Sequence, residues 1–133
     1  MKIVSAIITL NPTAVFVALM AHFLVGLIWY SVFGKVYSAL RGMDIRAKNQ
    51  WVPLGMLAHV FYTIALAVIV NLAGASTVME GLIIGSMIAI GFIGTILVNE
   101  LAYSKIPFKL FLLKFGDEFI ALCVAAVILS LWK

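Results

Sequence analysis

The chain is short of almost everything that a water-soluble domain relies on. It has nine basic and five acidic residues, so charged side chains make up 11% of it, against about 25% in an ordinary soluble domain. So little polarity excludes a disordered chain, which stays open only when it has too few apolar groups to bury. A single cysteine, Cys123, excludes an internal disulfide scaffold. Three prolines exclude a collagen-like repeat. No H-E-x-x-H, P-loop, dinucleotide fingerprint or Ser/His/Asp arrangement is present, so no enzyme class is indicated. The net charge of +4 is spread along the flanks of apolar runs instead of forming one basic face. Nucleic acid is therefore not an expected partner.

What the chain has instead is apolar surface. Hydrophobic residues make up 65% of it, and mean hydropathy is +1.23. A globule of 133 residues cannot bury that much, because a large part of a small domain remains at its surface. The solvent that suits such a composition is a lipid bilayer. The expected fold class is all-α: an integral membrane four-helix bundle with a short apolar N-terminal lead-in, forming a single transmembrane domain over 1–133.

A spanning helix needs about 20 predominantly apolar residues. Segments at approximately 13–33, 53–72, 81–101 and 112–132 meet that length. Asn11-Pro12 supplies an N-cap and a first helical residue for the first, and Gly34-Lys35 is expected to end it. Trp51-Val52-Pro53 opens the second. Pro107 opens a helix that, carried to Trp132, is about 39 Å long, so it either projects beyond the membrane or bends near Gly116. Residues Met1 to Leu10 are too short to cross and read as an interfacial lead-in.

Short loops rich in Lys and Arg stay in the cytoplasm. The first connection carries Lys35, Arg41, Arg46 and Lys48. The third carries Lys105 and Lys109, with Lys114 just beyond, and the second has neither Lys nor Arg. Loops one and three are thus expected in the cytoplasm and both termini, with Lys2 and Lys133, outside. The expected location is the inner (plasma) membrane. Trp29, Tyr30, Trp51, Tyr103 and Trp132 fall where interfacial aromatic anchors belong.

Trp29-Tyr30 followed by Phe33-Gly34-Lys35, with Asn99 at the end of the third segment and Lys109-Leu110-Phe111 before the fourth, resembles the signature of a bacterial membrane family, domain of unknown function 1761. The resemblance runs from Asn11 to Trp132. It implies a bacterial source, four hydrophobic segments and no assigned activity. Asp117-Glu118 stand outside that pattern.

Polar residues inside spans are costly and mark candidate sites. His22 and His59 lie on antiparallel segments at depths that allow their rings to meet. One reading gives each a structural hydrogen bond across the bundle; the sharper one is a histidine pair for proton, metal or haem chemistry. With no H-E-x-x-H or His/Cys spacing nearby, neither a cofactor nor a metal is expected. A second group is Tyr30, Lys35, Asn99, Glu100, Lys114, Asp117 and Glu118. Topology brings these residues to one membrane side as a cytoplasm-facing polar vestibule or as a snorkelling salt-bridge network. Lys114 is spaced to share a helix face with Asp117 and Glu118. Gly81 and Gly85 form a G-x-x-x-G face, and Gly91 and Gly94 add small positions, so the third helix is expected to be the most enclosed, within the bundle or at a subunit interface. The leading functional expectation is a homo-oligomeric interaction or scaffold protein. The alternative is a small transporter or channel for protons, cations or a small solute that uses the acidic vestibule.

Overall fold

A computed structural model describes residues 1–43 and 48–132. Arg46 and Lys133, both used in the orientation argument, lie outside the described residues. Among those described, the chain is helical and has no strand. In order it forms α1 (Lys2–Ile8), α2 (Pro12–Arg41), α3 (Val52–Ala73), α4 (Val78–Ile88), a π-helical stretch (Ala89–Gly94), α5 (Thr95–Tyr103) and α6 (Phe108–Leu131). Helix α4, the π stretch and α5 form one continuous rod. This rod, α2 and α3 are each long and apolar enough to cross a membrane.

Local chemistry sets the helix ends. The Asn11 side chain accepts hydrogen bonds from the backbone N–H groups of Thr13 and Ala14, and Pro12 takes the first helical position. Thr77 and Glu80 form a reciprocal capping box at the start of α4. Gly42 and Gly74 close α2 and α3 with φ of 66° and 68°, a left-handed conformation that glycine adopts without steric cost. Helix α2 does not stop at Gly34-Lys35 as the sequence suggests. Gly34 is buried within the helix, and the capping role falls to Gly42. Its 30 residues give a rod of about 45 Å, longer than a hydrocarbon core of about 30 Å. Helix α6 runs unbroken through Gly116.

The most enclosed helix is α6, not the third hydrophobic segment. Its buried face includes Leu110, Leu113, Asp117, Ala121, Leu122, Ala125, Ala126 and Leu129, and it packs along both α2 and α4. The register is antiparallel on both sides. Gly81 meets Val127 and Ser130, Gly85 meets Leu122 and Cys123, and Gly94 meets Phe115; along α2, Gly26 faces Asp117 and Trp29 lies on Gly116. Close approach is possible because the partners are small: seven of the eleven core residues are alanine. A Cβ on Gly85 would sit 2.8 Å from the Cys123 Cα, so the G-x-x-x-G face is occupied by α6 of the same chain. Gly91 has nothing within 4 Å of a built Cβ and faces outward. Large apolar side chains such as Phe16, Leu24, Ile28, Phe61, Met87 and Phe92 are exposed on the outside of the bundle.

The N-terminal lead-in is a helix docked on α3. The Asn71 amide donates to the Ala6 carbonyl at 3.0 Å and to the Thr9 hydroxyl at 2.9 Å. These bonds satisfy the C-terminal end of a helix too short to persist alone.

Two outcomes follow from this packing. Gly85→Leu should destabilise the detergent-solubilised protein by at least about 1–3 kcal/mol through overpacking, while Gly91→Leu should stay within about 0.5 kcal/mol of the parent; thermal unfolding of the two variants side by side checks this. Asn71→Ala should speed amide exchange across Lys2–Thr9 with little change elsewhere. Equal protection in the variant would mean that α1 is held by its apolar side alone.

Candidate functional site

Helix α2 presents His22, Gly26 and Tyr30 at successive i,i+4 positions, which places them in one stripe. That stripe faces α6 at Asp117 and Glu118, and α3 closes the side with His59 and Tyr62. The two histidine rings meet edge to face, with centroids 4.9 Å apart. Tyr62 stands edge-on to His22 at 5.8 Å. His22 Nε2 lies 3.8 Å from the Glu118 carboxylate. His22, His59 and Glu118 each offer a ligand atom within 4.8 Å of the other two. His22 is 5% exposed and Asp117 9% exposed.

The histidines are oriented by their own helices and by the rings around them. His59 Nδ1 lies 2.8 Å from the Gly55 carbonyl. A carbonyl only accepts, so the proton belongs on Nδ1 and Nε2 carries the lone pair. Phe23 flanks both rings. Tyr30 lies against Asp117. Gly26 leaves room for that carboxylate, since a built Cβ there would be 3.8 Å from Asp117 Oδ1. Asp117 Oδ1 and the Tyr62 hydroxyl are buried with no hydrogen-bond partner among the described residues.

The group borders open space on two sides. A groove of about 630 Å³ is lined by His22, Gly26, Tyr30, His59, Asp117 and Glu118 together with apolar neighbours. A second hollow of about 230 Å³ is lined by Ala58, His59, Tyr62, Ile93 and Glu118. His59 and Glu118 line both. Ile93 comes from the π-helical stretch, where the backbone ladder is rearranged. There the Thr95 hydroxyl donates to the carbonyls of Gly91 and Phe92 at 2.9 and 2.8 Å. Such π segments recur at functional sites.

The residues singled out in the sequence divide into three sets. Tyr30, Asp117 and Glu118 join the histidines and do not remain with the other vestibule residues. Lys114 and Glu100 form an ion pair with each other, away from the histidines. Lys35 and Asn99 are exposed and enter neither group. Trp29, expected as an interfacial anchor, turns inward and covers Gly116. Tyr62 and Gly26 were not anticipated. Both carry a retrospective signal, since Tyr62 is three residues after His59 and Gly26 four after His22, each on the same helix face.

No curated protein and no solved structure matches this chain. The family model described as "Protein of unknown function (DUF1761)" matches residues 13–130 of the 133. That span covers α2 through nearly all of α6, including every residue of the group just described, and the chain belongs to this family.

Proposed function

We propose that this is a four-span membrane protein that binds a small cation between α2, α3 and α6 and passes it across the bilayer. The observation that carries the reading is the meeting of His22, His59, Asp117 and Glu118 around one groove. His22 is ten residues past Pro12 on α2, and Glu118 ten residues past Phe108 on α6. Each is therefore about 15 Å along its helix, near the middle of a core about 30 Å thick. Ionisable groups at that depth are expensive and are kept where a pathway or ligand uses them. A pure interaction or scaffold role, the leading expectation from composition, requires none of them.

The fourth span is α6. Its Lys109, Lys114, Asp117 and Glu118 make it too charged to face lipid, but its enclosure by α2 and α4 supports a crossing in which Lys114, Asp117 and Glu118 face protein while Lys109, in the first turn, stays exposed. With four crossings both termini fall on one side. The basic residues of the first and third connections then favour termini outside and those connections in the cytoplasm of a plasma (inner) membrane. The groove is open and not enclosed, which favours assembly of two or more copies that cover it. Because Gly81 and Gly85 are used against α6, that interface belongs on another face.

The test is flux in proteoliposomes loaded with dyes for protons, alkali cations and divalent metals. The wild type should carry at least one of these cations. Glu118→Gln should reduce the rate by at least about tenfold, a loss of about 1.4 kcal/mol in transition-state stabilisation. Lys105→Ala, in an exposed connection, should match the wild type. A wild type that passes none of them above empty liposomes overturns the transport reading.

A further inference from the structure

We infer that the cation is a divalent transition metal, held by His22, His59 and Glu118. This rests on the cation-binding reading above and narrows the ligand to one chemical class. The three residues come from α2, α3 and α6, so no single helix brings them together. Their ligand atoms lie within 4.8 Å of one another. In a tetrahedral site with ligands about 2.0–2.1 Å from the metal, donors stand about 3.3–3.4 Å apart. Closing the gap asks for about half to one and a half ångströms, within reach of side-chain rotation beside an open groove.

The details of the site favour a metal over a structural pair. His22 Nε2 and the Glu118 carboxylate are 3.8 Å apart, too far for a hydrogen bond, so this contact satisfies neither group. His59 has its Nδ1 on the Gly55 carbonyl, so Nε2 carries the ring's lone pair and is the nitrogen able to ligate a metal. A backbone carbonyl in that position is how ligating histidines are commonly oriented. Asp117 supplies a second, separate indication. It lines the same groove, is buried, and its Oδ1 has no partner among the described residues.

Donor chemistry sets the class. Two imidazoles and one carboxylate suit zinc and its neighbours in the first transition row, whereas magnesium and calcium prefer all-oxygen sets. Glu118, with Asp117 beside it, balances a divalent charge inside a low-dielectric bundle. Three protein ligands would leave one position of a four-coordinate ion without a protein ligand, in a groove that Tyr30 and Asp117 also line. An incompletely caged ion is held firmly enough to enter and loosely enough to leave.

The experiment uses tag-free, chelator-stripped full-length protein in detergent, titrated with Zn²⁺ by calorimetry and with Co²⁺ by visible absorption. One Zn²⁺ per chain is expected, with Co²⁺ giving d–d bands of tetrahedral intensity that Zn²⁺ abolishes. His59→Ala and Glu118→Gln should each weaken Zn²⁺ binding by at least about 100-fold, more than the loss of an outer partner costs. Both residues border open space, and Glu118→Gln preserves shape, so circular dichroism should show both variants folded. Absence of Zn²⁺ and Co²⁺ binding, or binding undiminished in both folded variants, overturns the metal assignment. Proton or alkali flux without metal binding overturns this inference and leaves the cation reading standing. Stoichiometric Zn²⁺ binding without flux of any ion supports the metal site and overturns transport.

Discussion

A carboxylate that faces hydrocarbon has no partner and no solvent, and the arrangement of this bundle is built around avoiding that. Helix α6 carries Asp117 and Glu118 in its middle, and these side chains would be costly to hold against an apolar surrounding without a partner. The helix is surrounded by α2, α3 and α4. Enclosure on several sides leaves little room for bulky residues between backbones. The glycines of α4 and the alanine-rich core answer that demand, with Gly81 and Gly85 against the α6 backbone and Ala121, Ala125 and Ala126 along its buried face. Packing of this kind gains cohesion from close van der Waals contact, since lipid offers no hydrophobic drive between helices.

The same enclosure produces the site. Once α6 lies antiparallel to α2, the register set by Trp29 on Gly116 and by Gly26 beside Asp117 brings Glu118 to His22. Helix α3 then adds His59 and Tyr62 from the opposite wall. The acids thus lie beside imidazole and phenol, not beside lysine. Lys114 is committed one turn earlier on α6 to Glu100 of α5. Two polar systems result: an ion pair that joins helix ends, and a group of histidines, acids and tyrosines around a groove. The π-helical stretch borders the second hollow through Ile93, so the irregular part of the long rod lies beside the polar group and not at a random depth.

Much of the architecture could be read from residues alone. Apolar runs of the right length marked α2, α3 and the α4–α5 rod, and Asn11-Pro12 marked the start of α2, because capping is chemistry between neighbours. Depth counting placed His22 and His59 at compatible heights. Other features gave misleading local signals. Gly34 looked like a helix stop, yet glycine also serves where a helix packs closely, and only the packing distinguishes the two uses. Trp29 was marked only as an aromatic near a segment end, and its packing on Gly116 was not legible there. Gly81 and Gly85 marked a close helix contact without saying which helix it was, and the expectation that the third helix is the most enclosed gave way to α6 for that reason.

The sequence by itself determined the apolar composition, the helical class and the membrane-length apolar runs, because these depend on composition and on contacts within a few residues. It also determined that the few acids would be the costly residues to house. Only the tertiary structure decided where they are housed. Asp117 and Glu118 are separated from His22 and His59 by about half the chain or more, and no periodicity links their positions. Helix register and the faces that meet come from the mutual fit of small and large side chains across four rods. That fit separated Lys114 and Glu100 from the acids beside them and assembled one polar group from three helices. The scarcity of charge in the chain thereby becomes concentration at a single place in the fold.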